Sequence, residues 1–351
     1  MQATTQRPPL IGMNLDALTK VVLSGGMQKF VAKQLAEWLY KKKVTRFDEM
    51  VNISKKNREW LEANYVTGRE APLSRQKSAD GTVKYLFDVG SGNDIESVYI
   101  PDHDRATLCV SSQAGCKMNC YFCATGRLGF RAQLTAAQII NQVLSIPPAP
   151  KPGETPATEL TNVVFMGMGE PLDNIDALLT VIEIMTAPWG MAWSPKRITV
   201  STVGKLPQLK DLLEKTQVHV AVSLHTADPM QRDQLMPAQR AFPISSVIKM
   251  LEAYDFSHQR RLSFEYIMWR GVNDDIAHAD LLIRLIRGLD CRVNLIRFHV
   301  IPGVELHPSS DERMLMFRNY LNSKGVTATI RSSRGEDIMA ACGMLAGKNK
   351  K

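Results

Sequence analysis

Cysteine is scarce in this chain of 351 residues: there are six, and four of them fall between positions 109 and 123. So small and clustered a set excludes a disulfide-stapled scaffold, and with 44% apolar residues the chain has core enough to fold without staples. Long apolar runs are missing as well. No stretch of about 18 uncharged apolar residues occurs, so no membrane span is expected. Residues 1–10 hold no apolar core of a secretory signal, which makes a cytoplasmic protein the expectation. Internal repeats and long low-complexity tracts are lacking, which excludes stacked-repeat architectures. No heptad pattern stands out, and a monomer is expected.

Acidic residues are outnumbered. Forty-three Lys and Arg against 35 Asp and Glu leave a net charge of +8 and a pI of about 9.1. That balance favours a polyanionic partner, RNA or DNA, although an excess of this size is also ordinary in soluble proteins.

The first 65 residues read as helical. Phe30, Val31, Leu35, Trp38 and Leu39 recur at helical spacing within residues 29–40, and Ser54 opens a second helix over 55–64. Lys41, Lys42, Lys43, Lys55, Lys56 and Arg58 gather here, as a solvated face or as an RNA contact. From about residue 73 the pattern turns to strands, with Asp80-Gly81 as a hairpin signal. Strands and helices then alternate: 107–111 with 135–146, 162–166 with 175–185, 197–201 with 207–215, 218–223 with 244–254, 262–268 with 276–287, and 292–297 with 311–321. A last strand over 326–331 follows, and the Pro-rich stretch 147–156 reads as a surface linker. Six strand–helix pairs predict an α/β fold, a parallel sheet rolled into a full or partial (β/α)6 barrel with its chemistry at the C-terminal ends of the strands. The expected domains are a helical accessory region over 1–72, a short β extension over 73–106, and the barrel over 107–351.

The informative loop follows the first strand of the alternating region. Cys116, Cys120 and Cys123 form C-x3-C-x2-C. Soft thiolates suit zinc or iron–sulfur clusters. A structural zinc site closes with four ligands, whereas a cubane cluster held by three cysteines leaves one iron open to a substrate. Cys109 sits seven residues earlier, on the strand itself, and is expected to point elsewhere. A zinc knuckle with a distant fourth ligand is the competing reading. Glycines in Phe165-Met166-Gly167-Met168-Gly169-Glu170-Pro171 permit close backbone approach to a ligand, Glu170 offers a carboxylate, and Ser201 and Ser223-Leu224-His225 end the third and fourth strands.

The cysteine spacing, with Tyr121-Phe122 ahead of the last cysteine, resembles the radical S-adenosylmethionine (SAM) superfamily. Further stretches resemble one branch of it, the RlmN/Cfr family of RNA adenine methyltransferases: residues 95–101, 109–116, 165–172, 223–225, and Arg334-Gly335-Glu336-Asp337-Ile338 with Ala340-Ala341-Cys342-Gly343. Together they span most of the chain. The resemblance implies one 4Fe-4S cluster on Cys116, Cys120 and Cys123, and two SAM molecules per turnover bound by Gly169, Glu170, Ser201, Ser223, Leu224, His225 and His299. At Arg297-Phe298-His299 many relatives carry a Pro-aromatic-Asn stretch instead, so His299 stands where an Asn contacts SAM.

The resemblance further implies that Cys342 receives a methyl from one SAM. A deoxyadenosyl radical from the second SAM takes a hydrogen from that S-methyl group, and the resulting carbon radical adds to adenine. Cys109 then resolves the thioether as a disulfide with Cys342. Glu96 matches a proton acceptor. For a lone cysteine, burial as a small core residue is the ordinary alternative, and Cys291 is left as core. The implied substrates are 23S rRNA and tRNA, methylated at adenine carbon 2, with carbon 8 the alternative within the family. A flavodoxin or ferredoxin is the implied electron donor. Arg127, Arg131, Arg331 and Arg334 join the lysines as candidate RNA contacts. A reading from another class, an RNA-binding protein with a structural metal site and no catalysis, predicts zinc in place of iron and no need for Cys342.

Overall fold

The computed structural model describes residues 7–147, 157–258 and 260–347; most of the Pro-rich stretch over 147–156 lies outside them. The chain divides into two compact units, Met1–Pro72 with Leu134–Ala157 and Asp176–Ser194, and Leu73–Gln133 with Thr158–Ile175 and Pro195–Lys351.

The first unit is helical. The helix Leu15–Ser24 starts where the Asn14 side chain accepts from the Ala17 N–H, and it buries Leu18, Val21 and Val22. The helix expected over 29–40 begins at Val31 and widens after Ala36 into a π turn, Glu37–Lys41. The extra residue per turn lets three consecutive side chains, Trp38, Leu39 and Tyr40, all turn inward. The Tyr40 hydroxyl donates to the Met13 carbonyl at 2.6 Å. Lys55–Asn64 follows its Ser54 cap as expected. Two helices that lie between sheet strands in sequence, Ala136–Ser145 and Ile175–Thr186, also belong to this unit. Several of the basic residues have local partners: Lys41 on Pro188 O, Lys42 over the Trp38 ring, Lys55 on Glu59 and Arg58 on Asp48 O.

Among the described residues, the second unit holds every strand: β1 (Ser74–Lys77), β2 (Val83–Asp88), β3 (Asp94–Asp102), β4 (Arg105–Cys109), β5 (Gln113–Gly115), β6 (Phe130–Gln133), β7 (Asn162–Phe165), β8 (Ile198–Thr202), β9 (His219–Ser223), β10 (Leu262–Met268), β11 (Arg292–Arg297) and β12 (Thr327–Ile330). Ten of them form one sheet in sequence order, and β5 and β6 pair apart as a small ribbon. β1 to β4 run antiparallel, so the stretch read as a β extension is continuous with the main sheet. From β4 through β7 to β12 every pairing is parallel. Near-continuous apolar runs such as Val220, Ala221 and Val222, all within 1% of complete burial, mark strands covered on both faces.

β1 and β12 have one neighbour each, so the sheet is open and the full barrel is excluded. It is nevertheless curled. Residues at the ends of β7 to β11, and Arg331 just past β12, line one cavity of about 140 Å³. In a flat sheet those ends would spread over about 24 Å, five strand spacings, too far to share it. The short helices Pro229–Leu235 and Ala238–Ala241 were not anticipated, because a polar sequence rich in Asp, Gln and Pro shows no apolar period there. No helix among the described residues is long and apolar enough to cross a membrane.

Candidate active site

Cys116, Cys120 and Cys123 line the 140 Å³ cavity together. Their loop leaves the β5–β6 ribbon through Gly115, whose φ of +73° and close approach exclude a side chain: a Cβ would lie 1.9 Å from Gly129 O. Cys116 N–H then donates to that same carbonyl at 3.1 Å, and Tyr121 N–H donates to Leu235 O at 2.9 Å, seating the loop on the helix Pro229–Leu235. Burial pushes the Cys116 thiol up to about 12, and burial followed by the charges of Cys123 and Cys116 raises Cys120.

Three soft donors crowded in one pocket, Cys116 and Cys120 buried and Cys123 half-buried, fit a cluster that takes one thiolate on each of three irons. Cys109 is not in this cavity and offers no fourth thiolate to it. Among the described residues no three His, Cys, Asp or Glu side chains gather as ligands of a single metal ion.

The opposite wall comes from the strand ends. A Cβ on Gly167 would meet Ser111 Oγ and Val110 O at 2.7 Å, and one on Gly169, at φ +101°, would meet Gln113 Cβ at 2.6 Å. Glu170 is buried; its oxygens accept from Leu172 N–H at 3.1 Å and Val203 N–H at 3.0 Å. Desolvation outweighs those bonds and lifts its carboxyl to about 7. His225, also at positive φ, accepts from Ile267 N–H through Nδ1 at 3.1 Å, which leaves the proton on Nε2. Burial, with the Arg232 charge behind it, lowers this imidazole to about 3, so it stays neutral at physiological pH.

Ser201 and Ser223 line the same cavity. Leu224 does not: its side chain is fully buried, and its carbonyl accepts from Arg232 Nε at 3.2 Å. Arg232, wholly buried, also holds the carbonyls of Ser223 and Val203 at 3.0 and 3.1 Å and Gln239 Oε1 at 2.7 Å. One guanidinium thereby fixes the ends of β8 and β9.

A second cavity, about 310 Å³, adjoins the first. Cys342 belongs to the walls of both, and Cys109 to the second alone. Arg331 also faces both and pairs with Glu265 at 3.3 Å. Burial, with Cys342 nearby, pushes the Cys109 thiol up to about 12 against the pull of Arg331.

His299 lines the second cavity and not the first. Its Nε2 is 3.1 Å from Ser333 Oγ, and its Nδ1 is 3.3 Å from Glu336. Arg334 faces this cavity near Asp102. Arg127 and Tyr121 lie in cation–π contact on the cysteine loop. Glu96 lines neither cavity: it is buried, ion-paired with Lys84 at 3.0 Å, and accepts the N–H groups of Ala346 and Gly347. Cys291 lies apart from both.

Sequence reasoning did not single out Arg232, Gln113, Thr125 or Lys84. Gln113 Oε1 accepts the Glu170 N–H at 2.8 Å, and Thr125 donates to Leu345 O at 2.5 Å. Arg232 sits in the polar stretch Pro229–Leu235, where no local sequence signal sets it apart from its Gln and Asp neighbours.

The model of the ribosomal RNA large subunit methyltransferase N-terminal domain matches residues 9–66, and that of the radical SAM superfamily matches residues 110–282. A Bacteroides fragilis protein named a probable dual-specificity RNA methyltransferase RlmN is 56% identical over 338 residues, 96% of each chain. One of the same name from Parabacteroides distasonis is 56% identical over 337 residues, again 96% of each chain. The crystal structure of a radical SAM methyltransferase from Sphaerobacter thermophilus superposes with a TM-score of 0.89 at 38% identity, over 97% of this chain and 100% of that one. With identity this high over nearly its full length, and with the thiols, glycines and strand-end polar groups gathered at one mouth of the sheet, the chain belongs to the RlmN family of radical SAM proteins.

Proposed function

We infer that the protein is an RNA methyltransferase that draws on SAM and a 4Fe-4S cluster and methylates carbon 2 of an adenine in 23S rRNA and tRNA, with two SAM consumed per turnover. The observation that carries this is the position of Cys342 in the walls of both cavities, with Cys109 in the second alone. Adenine carbon 2 is electrophilic and does not attack a sulfonium methyl, so a methyl must pass through a carrier. The position of Cys342, reachable from the cysteine-lined cavity and from its neighbour, supports it as that carrier.

The residues divide the work. Cys116, Cys120 and Cys123 would hold the cluster, and Gly169, Glu170, Ser201, Ser223 and His225 would bind SAM, with Glu170 accepting from its ammonium. The cluster and SAM, when bound, supply the one-electron chemistry that activates a C–H bond. The Cys342 thiolate would take the methyl of a first SAM, its S–C bond forming as the sulfonium S–C bond breaks and S-adenosylhomocysteine leaves. Once the carbon carried on Cys342 is joined to adenine, Cys109 attacks the Cys342 sulfur. An S–S bond forms, the S–C bond breaks, its electron pair stays on carbon and takes up a proton to complete the methyl group, the ring carbon gives up its own hydrogen as a proton, and the methylated RNA departs. An electron carrier of the flavodoxin or ferredoxin class restores the thiols. Arg331 stabilises the thiolate forms of Cys109 and Cys342 from beside both. The adenine must leave its stack to enter the second cavity, and Arg334 at that cavity is a candidate phosphate contact.

The test is an anaerobic reaction of cluster-loaded protein with SAM, a reductant and a ribosomal RNA fragment, digested to nucleosides for mass spectrometry. 2-Methyladenosine, lost in Cys342→Ala, is the expected product. 8-Methyladenosine would move the protein to the carbon-8 reaction. Zinc in place of iron, with no product, would return it to RNA binding without catalysis.

A further inference from the structure

The segment that carries Cys342 is fastened at both ends to the β1–β3 ribbon. At the near end the β1–β2 turn grips residues 335–337. Asp80 accepts the Gly335 N–H at 2.9 Å, while the Ser78 hydroxyl and the Ala79 N–H donate to the two oxygens of Asp337 at 2.5 and 3.1 Å. Gly335 has φ +65°, and a Cβ there would lie 2.9 Å from Thr82 Cγ2, so the turn sits flush on the hairpin. Farther along, Lys84 on β2 reaches the Met339 carbonyl at 3.4 Å and Glu96 on β3 at 3.0 Å. At the far end Glu96 accepts the N–H groups of Ala346 and Gly347 at 2.9 and 3.1 Å. A Cβ on Gly347 would lie 3.0 Å from Asp94 O, a second flush contact with β3. Between the ends, Gly343 O accepts the Ala124 N–H at 2.8 Å, tying the middle of the segment to the cysteine loop.

We propose that Asp80, Lys84 and Glu96 are positioning residues that clamp both ends of segment 335–347 to the β1–β3 ribbon and so hold the Cys342 thiol at the opening between the two cavities. Glu96 then acts through the backbone of the segment and not as a proton acceptor. Its carboxylate is already engaged by an ammonium and two amides, and it lines neither cavity. A thiol that must meet two partners in turn gains from a tether that fixes where it starts, because holding the segment raises its effective concentration toward Cys109. The proposal rests on the reading of Cys342 as the methyl carrier.

The full-length protein tests it without a cluster. Amide hydrogen exchange over 335–347 and the stability of the Cys109–Cys342 disulfide in a glutathione buffer are measured for wild type, Asp80→Ala, Glu96→Ala and Glu96→Gln. Exchange about tenfold faster over 335–347 in both alanine variants, with β7 to β11 unchanged, and a disulfide about tenfold easier to reduce are expected from losing charge-assisted hydrogen bonds. Glu96→Gln, whose amide oxygen still accepts both N–H groups, should exchange more slowly than Glu96→Ala. Unchanged exchange in both alanine variants overturns the clamp. In reactions of cluster-loaded enzyme with RNA, a covalent protein–RNA species that builds up in Glu96→Gln would restore Glu96 as proton acceptor and overturn its positioning role. A wild-type protein that forms no Cys109–Cys342 disulfide, yet shows the expected exchange pattern, supports the clamp and sinks the reading of the thiol.

Discussion

The guanidinium of Arg331 lies 3.3 Å from the carboxylate of Glu265, and the two stand where the cysteine-lined cavity meets its neighbour. Glu265 aims the arginine, and the arginine supplies a positive charge that both Cys109 and Cys342 feel. The residue first read as an RNA contact lies beside two thiols. Arg331→Met should raise both thiol pKa values further and so slow their alkylation by iodoacetamide at pH 8 several-fold. Arg331→Lys should recover part of the loss. Unchanged alkylation rates, followed by peptide mass spectrometry, would remove this role.

Glu170 and His225 make opposite contributions to the pH dependence of stability. The Glu170 carboxyl, raised to about 7 by burial, binds a proton in the folded state that the unfolded chain has lost, so its contribution falls as pH rises from about 4.5 to 7. His225, lowered to about 3, stays neutral while the unfolded chain protonates, so its contribution rises from about pH 3 to 6.5. The two oppose each other across the shared window. Glu170→Gln removes the first, and its stability relative to wild type should increase by up to about 1.4 kcal/mol per pH unit between pH 4.5 and 7. Urea unfolding at pH 5 and 7 measures it; parallel curves for both proteins would count against a neutral buried Glu170.

Replacing any one of Cys116, Cys120 or Cys123 by Ser should abolish stable iron and sulfide incorporation on anaerobic reconstitution, because each thiolate of the triad would hold one iron. Cys109→Ser and Cys291→Ser should load iron like wild type, since neither lines the first cavity. Metal analysis and the visible charge-transfer band give the readout, and iron lost in Cys109→Ser would mark it as a ligand.

Arg232→Met should cost about 3 kcal/mol of stability by stranding carbonyls that the guanidinium satisfies. The ends of β8 and β9 lose their common anchor, so SAM affinity should fall with it, as calorimetry would detect. A variant as stable as wild type would show that these loops hold themselves.

Much was legible because it is local. A period of two or 3.6 in apolar residues reports the face an element buries, and the expected parallel strands appear within one or two residues of their sequence positions. Cys116, Cys120 and Cys123 could be nominated together because a loop of eight residues cannot carry them far apart. Leu224 was nominated with its neighbours, yet it turns into the core just past the end of β9 while Ser223 and His225, the latter at positive φ, face the cavity. His299 was assigned to SAM by position, and the backbone delivers it to the second cavity beside Ser333.

The sequence by itself determined the thiol triad, the glycines that admit a ligand and the order of strands, since each depends on residue type and short spacing. Tertiary structure alone decided the partnerships across long separations: Arg331 with Glu265, Arg232 with three strand-end carbonyls, and Glu96 with amides 250 and 251 residues away. A charged side chain carries no periodic signal that names its partner. Its role is set by where desolvation and hydrogen bonding leave it once the sheet has curled, and only the folded chain specifies that.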